Sequence, residues 1–306
     1  MEGTRAGRRG AGAVSAVETP SGKGAADENF PVGSWLLPAP LRPHIAAFYR
    51  FARAIDDIAD NPALSPADKL ARLDRMALAV ASGSGDATLA TADRLRRSLA
   101  ATGVTPRHAL DLVDAFRQDA VKSRYAGWDD LMSYCDRSAA PVGRYLLDLH
   151  GEDRRLYPGS DALCNALQVI NHLQDCGDDR RALDRVYLPV PWLAEAGASV
   201  EDLDAPALSP GLRRVLDRCL DGVERLLAVS HSLAPAMAST RLALETGVIQ
   251  RIATTLVRRL RAEDPLAHRV ALGRTVFAAA ALAGGIGTVM GRWTGAGAAA
   301  RRRYAP

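Results

Sequence analysis

A chain of 306 residues that is 48% hydrophobic, 24% charged and only 5% aromatic can bury a large core, and its abundance of Ala, Leu and Arg favours an all-α fold over a β-rich one. The formal charge of +4 is small, with arginine clusters near the two ends (Arg5, Arg8, Arg9; Arg301, Arg302, Arg303) and at Arg258, Arg259 and Arg261. No basic groove interleaved with aromatics is visible, which argues against a nucleic-acid partner. Cys135, Cys164, Cys176 and Cys219 lack Cys-x-x-Cys or zinc spacing, which argues for reduced cytosolic thiols.

Residues 1–28 are rich in Gly, Ala, Ser and Arg without an apolar run, and read as a disordered tail rather than a signal peptide. One helical domain over 29–291 is expected to follow, beginning near Asn29-Phe30-Pro31 and trailed by a basic tail over 292–306. The first long helix should open near Pro43 and stop before Pro62, which leaves Asp60 in its last turn. Ser65-Pro66 has the form of an N-cap followed by proline at the first helical position, and predicts a helix to about Val80. Residues 87–101 and 106–121 read as two more amphipathic scaffold helices.

A longer helical stretch is expected from Trp128 to His150, carrying Tyr134 and interrupted by Ala139-Ala140-Pro141-Val142-Gly143, where proline and glycine kink a helix at a close helix crossing or beside a ligand. A second Asp-rich helix follows over 160–179, then a charged connection from Arg180 to Pro189, then helices over 209–233, 235–262 and 266–291. The uncharged run Thr275 to Gly291 is shorter than the roughly 20 apolar residues a span requires and holds four glycines, so it reads as a buried or membrane-grazing final helix.

Two polar stripes stand out against this scaffold. At about 100° per residue, Tyr49, Arg53, Asp56 and Asp60 share one helical face beside an apolar stripe of Ile45, Phe48, Ala52, Ile55 and Ala59. Gln168, Asn171, Asp175 and Asp179 repeat the arrangement among Leu167, Val169, Ile170 and Leu173. Both runs close with Asp-x-x-x-Asp near an expected helix C-terminus, where the macrodipole disfavours carboxylates by roughly 0.3 to 1 kcal/mol each.

One such pair is ordinary on a solvated face; two, each closing a mostly apolar helix, point to a shared cation. Mg²⁺ prefers hard oxygen ligands and is typically held by one or two carboxylates plus substrate phosphates, so a diphosphate bridged by Mg²⁺ would reconcile two acidic clusters. Arg53 has two readings, an i,i+3 salt bridge to Asp56 or a guanidinium that grips diphosphate oxygens. Tyr49 and Tyr134 are either core tyrosines with satisfied hydroxyls or groups that orient the leaving group and stabilise a carbocation through the ring face. His172 reads as structural. There is no Walker A sequence, and Met290 stands where a dinucleotide fingerprint beginning at Gly285 needs its third glycine.

With these motifs in view, the chain resembles the squalene/phytoene synthase family of all-α isoprenoid synthases. The segments that carry the likeness are Asn29-Phe30-Pro31, Phe48 to Asp60, Tyr134 to Gly143, Gln168 to Asp179 and Arg185 to Pro189. The resemblance implies a single-domain helical bundle around an apolar tunnel. It also implies Mg²⁺-diphosphate residues at Asp56, Asp60, Asn171, Asp175 and Asp179, substrate contacts from Asn29, Phe30, Tyr49, Arg53, Gln168 and Asn171, and catalytic roles for Tyr49, Arg53 and Tyr134. Gln174 departs from relatives that carry a basic residue there.

Within the family the motifs look most like the bacterial hopanoid-pathway branch, whose members convert presqualene diphosphate to hydroxysqualene by ionisation, rearrangement and water capture. That resemblance implies a Mg²⁺ cofactor, no NADPH requirement, a prenyl diphosphate substrate, and a cytoplasmic enzyme with peripheral contact at the inner membrane face. Head-to-head condensation of two farnesyl diphosphates to presqualene diphosphate, squalene or a phytoene-type product stays open, as does a non-catalytic helical scaffold.

Overall fold

The computed structural model describes Val17 and residues 37–293, the side chain of Trp293 excepted. Asn29, Phe30 and Pro31, with nearly all of the two expected tails, lie outside the described residues. The helices are α1 (Arg42–Asp60), α2 (Pro66–Ser82), α3 (Ala90–Thr102), α4 (Arg107–Asp119), α5 (Trp128–Ser138), α6 (Ala140–Leu149), α7 (Tyr157–Gln174), α8 (Cys176–Leu183), α9 (Val190–Glu195), α10 (Pro210–Ser230), α11 (Leu233–Ala236), α12 (Thr240–Ala262) and α13 (Arg274–Trp293). The all-α expectation holds, with one small addition: β1 (Arg124–Tyr125) pairs in parallel with β2 (Val186–Pro189).

Local chemistry explains most helix starts. Proline occupies the first turn of α1, α2, α6, α7 and α10, where the missing N–H has no partner to lose. Ser65, Ser209 and Ser239 cap α2, α10 and α12 by accepting a backbone N–H three residues on. On α1, Ile45, Phe48, Phe51, Ile55 and Ile58 are buried, each worth about 1.5–3 kcal/mol, while Tyr49, Arg53, Asp56 and Asp60 are half-buried on the neighbouring face.

α7 is the central helix, packed against α5, α6, α10 and α12, and α1 lies against α3 and α4. Three hydrogen bonds fix the relative direction of α7 and α12. Glu152, just ahead of α7, accepts the N–H groups of Ala238 and Ser239 (2.8 and 2.7 Å) at the start of α12. At the other end, Gln174 Nε2 donates to the carbonyl of Val270 (2.5 Å), beyond the end of α12. The two helices therefore run the same way.

Two expected helices are divided. The stretch from Trp128 to His150 breaks fully at Ala139 (φ −126°, ψ −48°), and Pro141 starts α6 rather than kinking a continuous helix. Gly143 marks a close helix crossing, one of the two readings of this stretch, since a Cβ there would lie 2.3 Å from Ser160 Oγ and 2.7 Å from Cys164 Sγ. The second Asp-rich helix breaks at Asp175 (φ −104°, ψ 9°), so Asp179 sits in the first turn of α8. The dipole argument made from the sequence thus holds for Asp60, at the end of α1, and reverses for Asp179, where the helix N-terminus favours a carboxylate.

α13 crosses α12 so closely that a Cβ on Gly284 would meet the Gly247 carbonyl oxygen at 2.6 Å. Its outer face is exposed at Val276, Leu282, Ile286, Val289 and Met290. The alternative of a buried final helix is therefore corrected: packing uses only the glycine side.

Candidate active site

α1, α4, α5, α7, α8 and the β2 segment converge on a polar cavity of about 270 Å³ whose lining includes Tyr49, Arg53, Asp56, Asp60, Tyr134, Gln168, Asn171, Asp175 and Asp179. The structure thus brings together every candidate site residue inside its described range, and only Asn29 and Phe30 fall outside. Both polar stripes reach one place because α1 and α7 both carry their last turns to this cavity.

Arg53 forms ion pairs with Asp56 (3.1 Å) and Asp57 (3.2 Å) along its own helix, so the plain i,i+3 reading is realised while the guanidinium still borders the cavity. Tyr134 is buried and donates its hydroxyl to Asp119 Oδ2 at 2.6 Å. Burial, and then the Asp119 charge, push its phenol well above the ordinary range, so it remains a protonated donor. His172 stacks on Tyr187 with ring centroids 3.4 Å apart, and burial lowers it to about 3. It is a neutral packing group, in line with its structural reading.

The carboxylates are short of positive charge. Burial first, then the charge of Asp60, raise Asp56 to about 7; burial first, then Asp175, raise Asp179 to about 7. Among the described residues no three carboxylate, imidazole or thiol groups converge closely enough to enclose an ion unaided. Asp56, Asp60, Asp175, Asp179 and the Asn171 amide offer hard-oxygen donors around one cavity, and they suit a divalent ion that takes its remaining ligands from phosphate and water.

Three further residues complete the mouth. Arg185, buried, binds Asp60 (3.0 Å) and the Asp119 carbonyl (3.2 Å), with the Asp119 carboxylate 3.8 Å away. Burial raises Asp119 to about 6 against the opposing pull of Arg185 and the Tyr134 hydroxyl. Tyr187 stands beside Tyr134 and Arg185. The sequence reading treated 180–189 as a charged connection; its signal was Arg185-Val186-Tyr187 within a matched segment. Asp184 ends α8 in the left-handed conformation (φ 48°), which Asp tolerates better than most residues, and the Arg185 N–H returns to the Asp179 carbonyl (3.2 Å). Nothing in the sequence marked Asp119.

Tyr49 and Ala52 also line a second, apolar cavity of about 240 Å³, bounded by residues such as Phe48, Leu146, Leu163, Leu167 and Ile249. A carboxylate-rich mouth therefore adjoins an apolar chamber. That combination suits a molecule with an anionic head and a hydrocarbon body.

Residues 24–276 match the family model for squalene/phytoene synthase. The chain belongs to the squalene/phytoene synthase family. Among its relatives is the hydroxysqualene synthase of Rhodopseudomonas palustris, 49% identical over 259 residues, which span 85% of this chain and 88% of that protein. The hydroxysqualene synthase of Zymomonas mobilis is 45% identical over 84% of this chain and 86% of its own. A crystal structure of squalene synthase HpnC from Alicyclobacillus acidocaldarius superposes with a TM-score of 0.67 at 31% identity, covering 76% of this chain and 87% of that one. A dehydrosqualene synthase crystal structure gives 0.73 at 20% identity, over 86% and 92%, and supports the fold alone. As a squalene/phytoene synthase family member, the protein is an all-α enzyme of the prenyl-diphosphate type.

Proposed function

We propose that this family member is a hydroxysqualene synthase, converting presqualene diphosphate to hydroxysqualene. The carrying observation is the junction at Tyr49 and Ala52, which joins a mouth of hard oxygen donors to an apolar chamber. The identity to hydroxysqualene synthases supports the choice within the family. Asp56, Asp60, Asn171, Asp175 and Asp179 are the residues that would hold Mg²⁺. When bound it supplies Lewis-acid stabilisation of diphosphate oxygens. Arg53, on the rim, neutralises charge developing on the leaving group. The ring of Tyr134, at the mouth, steadies the cation, and the apolar chamber keeps water from early capture.

The test is incubation of the purified protein with Mg²⁺ and either presqualene or farnesyl diphosphate, with and without NADPH. Hydroxysqualene from presqualene diphosphate without NADPH is expected. Turnover of farnesyl diphosphate alone, or squalene formation dependent on NADPH, would favour the condensing alternatives.

A second reading concerns location. We infer that the protein is cytoplasmic and rests through α13 on an anionic bilayer, because the exposed apolar face of that helix is flanked by Arg274 and Arg292 and followed by Arg301, Arg302 and Arg303. Co-sedimentation with vesicles containing phosphatidylglycerol is expected, and Leu282→Glu with Ile286→Glu should abolish it. Equal recovery of wild type and variant in the pellet would contradict this.

A further inference from the structure

Among the described residues that line the apolar cavity, one carries a formal charge, Glu245 on α12. We propose that Glu245 is the base that holds the capturing water and takes its proton. This rests on the hydroxysqualene synthase reading. A buried carboxylate costs several kcal/mol even when partnered, and an apolar residue of like volume is commonly as good or better for stability. Glu245 is 4% exposed and lines a chamber made for hydrocarbon.

Its height in the chamber follows from the helix directions. α1 and α7 both end at the mouth, and α12 runs parallel to α7. Each helix lines the chamber at successive turns: Ile45, Phe48 and Ala52 on α1; Ser160, Leu163 and Leu167 on α7; Leu242, Glu245 and Ile249 on α12. Glu245 is one helical turn, ~5 Å, from Ile249 toward the start of α12, and unlike Ala52 it does not line the polar mouth. A water held there is removed from the diphosphate and adjacent to the hydrocarbon.

Tyr49 belongs to the polar mouth as well, and the remaining polar groups serve this step poorly. Thr246 directs its hydroxyl to Met237 sulfur (3.5 Å), and Tyr145 donates to the His44 carbonyl (3.0 Å). Burial pushes the Cys164 thiol up to about 12, so it stays protonated, and Ser160 is a neutral hydroxyl. A carboxylate alone in this set accepts both a hydrogen bond from water and a proton. In the step, a water lone pair forms the C–O bond to the cationic carbon. An O–H bond of the resulting oxonium breaks and its proton passes to a Glu245 oxygen, leaving a neutral alcohol and a neutral acid that returns the proton to solvent after product release.

The test compares wild type, Glu245→Gln and Glu245→Asp as full chains with presqualene diphosphate and Mg²⁺, following diphosphate release and product composition by mass spectrometry. In Glu245→Gln, diphosphate release is expected within about threefold of wild type while the alcohol share of products falls about tenfold or more in favour of alkenes, and Glu245→Asp keeps the alcohol. An unchanged alcohol share in Glu245→Gln overturns the proposal. So does a proportional loss of diphosphate release and alcohol, which would mark Glu245 as a support of the fold. A wild type that makes no hydroxysqualene overturns the underlying reading instead, so the two failures are distinguishable.

Discussion

Asp56→Asn is expected to slow diphosphate release from presqualene diphosphate by roughly a thousandfold or more, while the metal-free protein stays as stable as wild type or becomes more so. The two effects have one cause. Asp56 is raised to about 7 by burial and by Asp60, against an ordinary value of 3.8. The folded state therefore binds more protons than the unfolded one between about pH 4 and 7, and in the absence of metal its stability falls as pH rises through that window. Asparagine removes the charge responsible and with it a ligand. Asp175→Asn, from the facing element, should show the same loss of turnover. Pyrophosphate release assays and thermal melts in EDTA check both. A decrease below tenfold would return Asp56 to the status of a surface carboxylate, and a lower melting temperature in EDTA would mean that it supports the fold.

Arg185→Ala should behave in the opposite way, losing stability along with activity. Arg185 is buried and is the cation for Asp60 and Asp119, and burial of a carboxylate whose partner has been removed costs about 3–5 kcal/mol. Lysine at this position would keep the charge and lose the fork that reaches Asp60, the Asp119 carbonyl and the Tyr187 hydroxyl together. Urea unfolding without Mg²⁺ should rank wild type above Arg185→Lys and Arg185→Ala lowest. Equal midpoints would show that the pair is dispensable to the fold.

Much of this was legible in the sequence where periodicity and caps act locally. The stripe on α1 is a property of 13 consecutive residues, and Ser65-Pro66 or Pro62 mark boundaries by their own chemistry. The break at Asp175 was not legible, because helical spacing continues through it and only the backbone angles reveal the division. Asp119 was invisible for another reason: nothing about a carboxylate ending α4 says that Arg185, 66 residues later, will close on it. Arg185 itself reaches the mouth through the pairing of β2 with β1, a contact two short strands do not announce. Glu245 was passed over as one polar residue of a helix, since its meaning depends on which face of α12 meets the chamber.

The most direct measurement of the central claim is the product formed from presqualene diphosphate by the purified protein in ¹⁸O-labelled water, with Mg²⁺ and without NADPH. Hydroxysqualene whose hydroxyl oxygen carries the label is expected, and no such product from Asp56→Asn or Asp175→Asn. An unlabelled product, a hydrocarbon in place of the alcohol, or undiminished turnover by the two variants would contradict it.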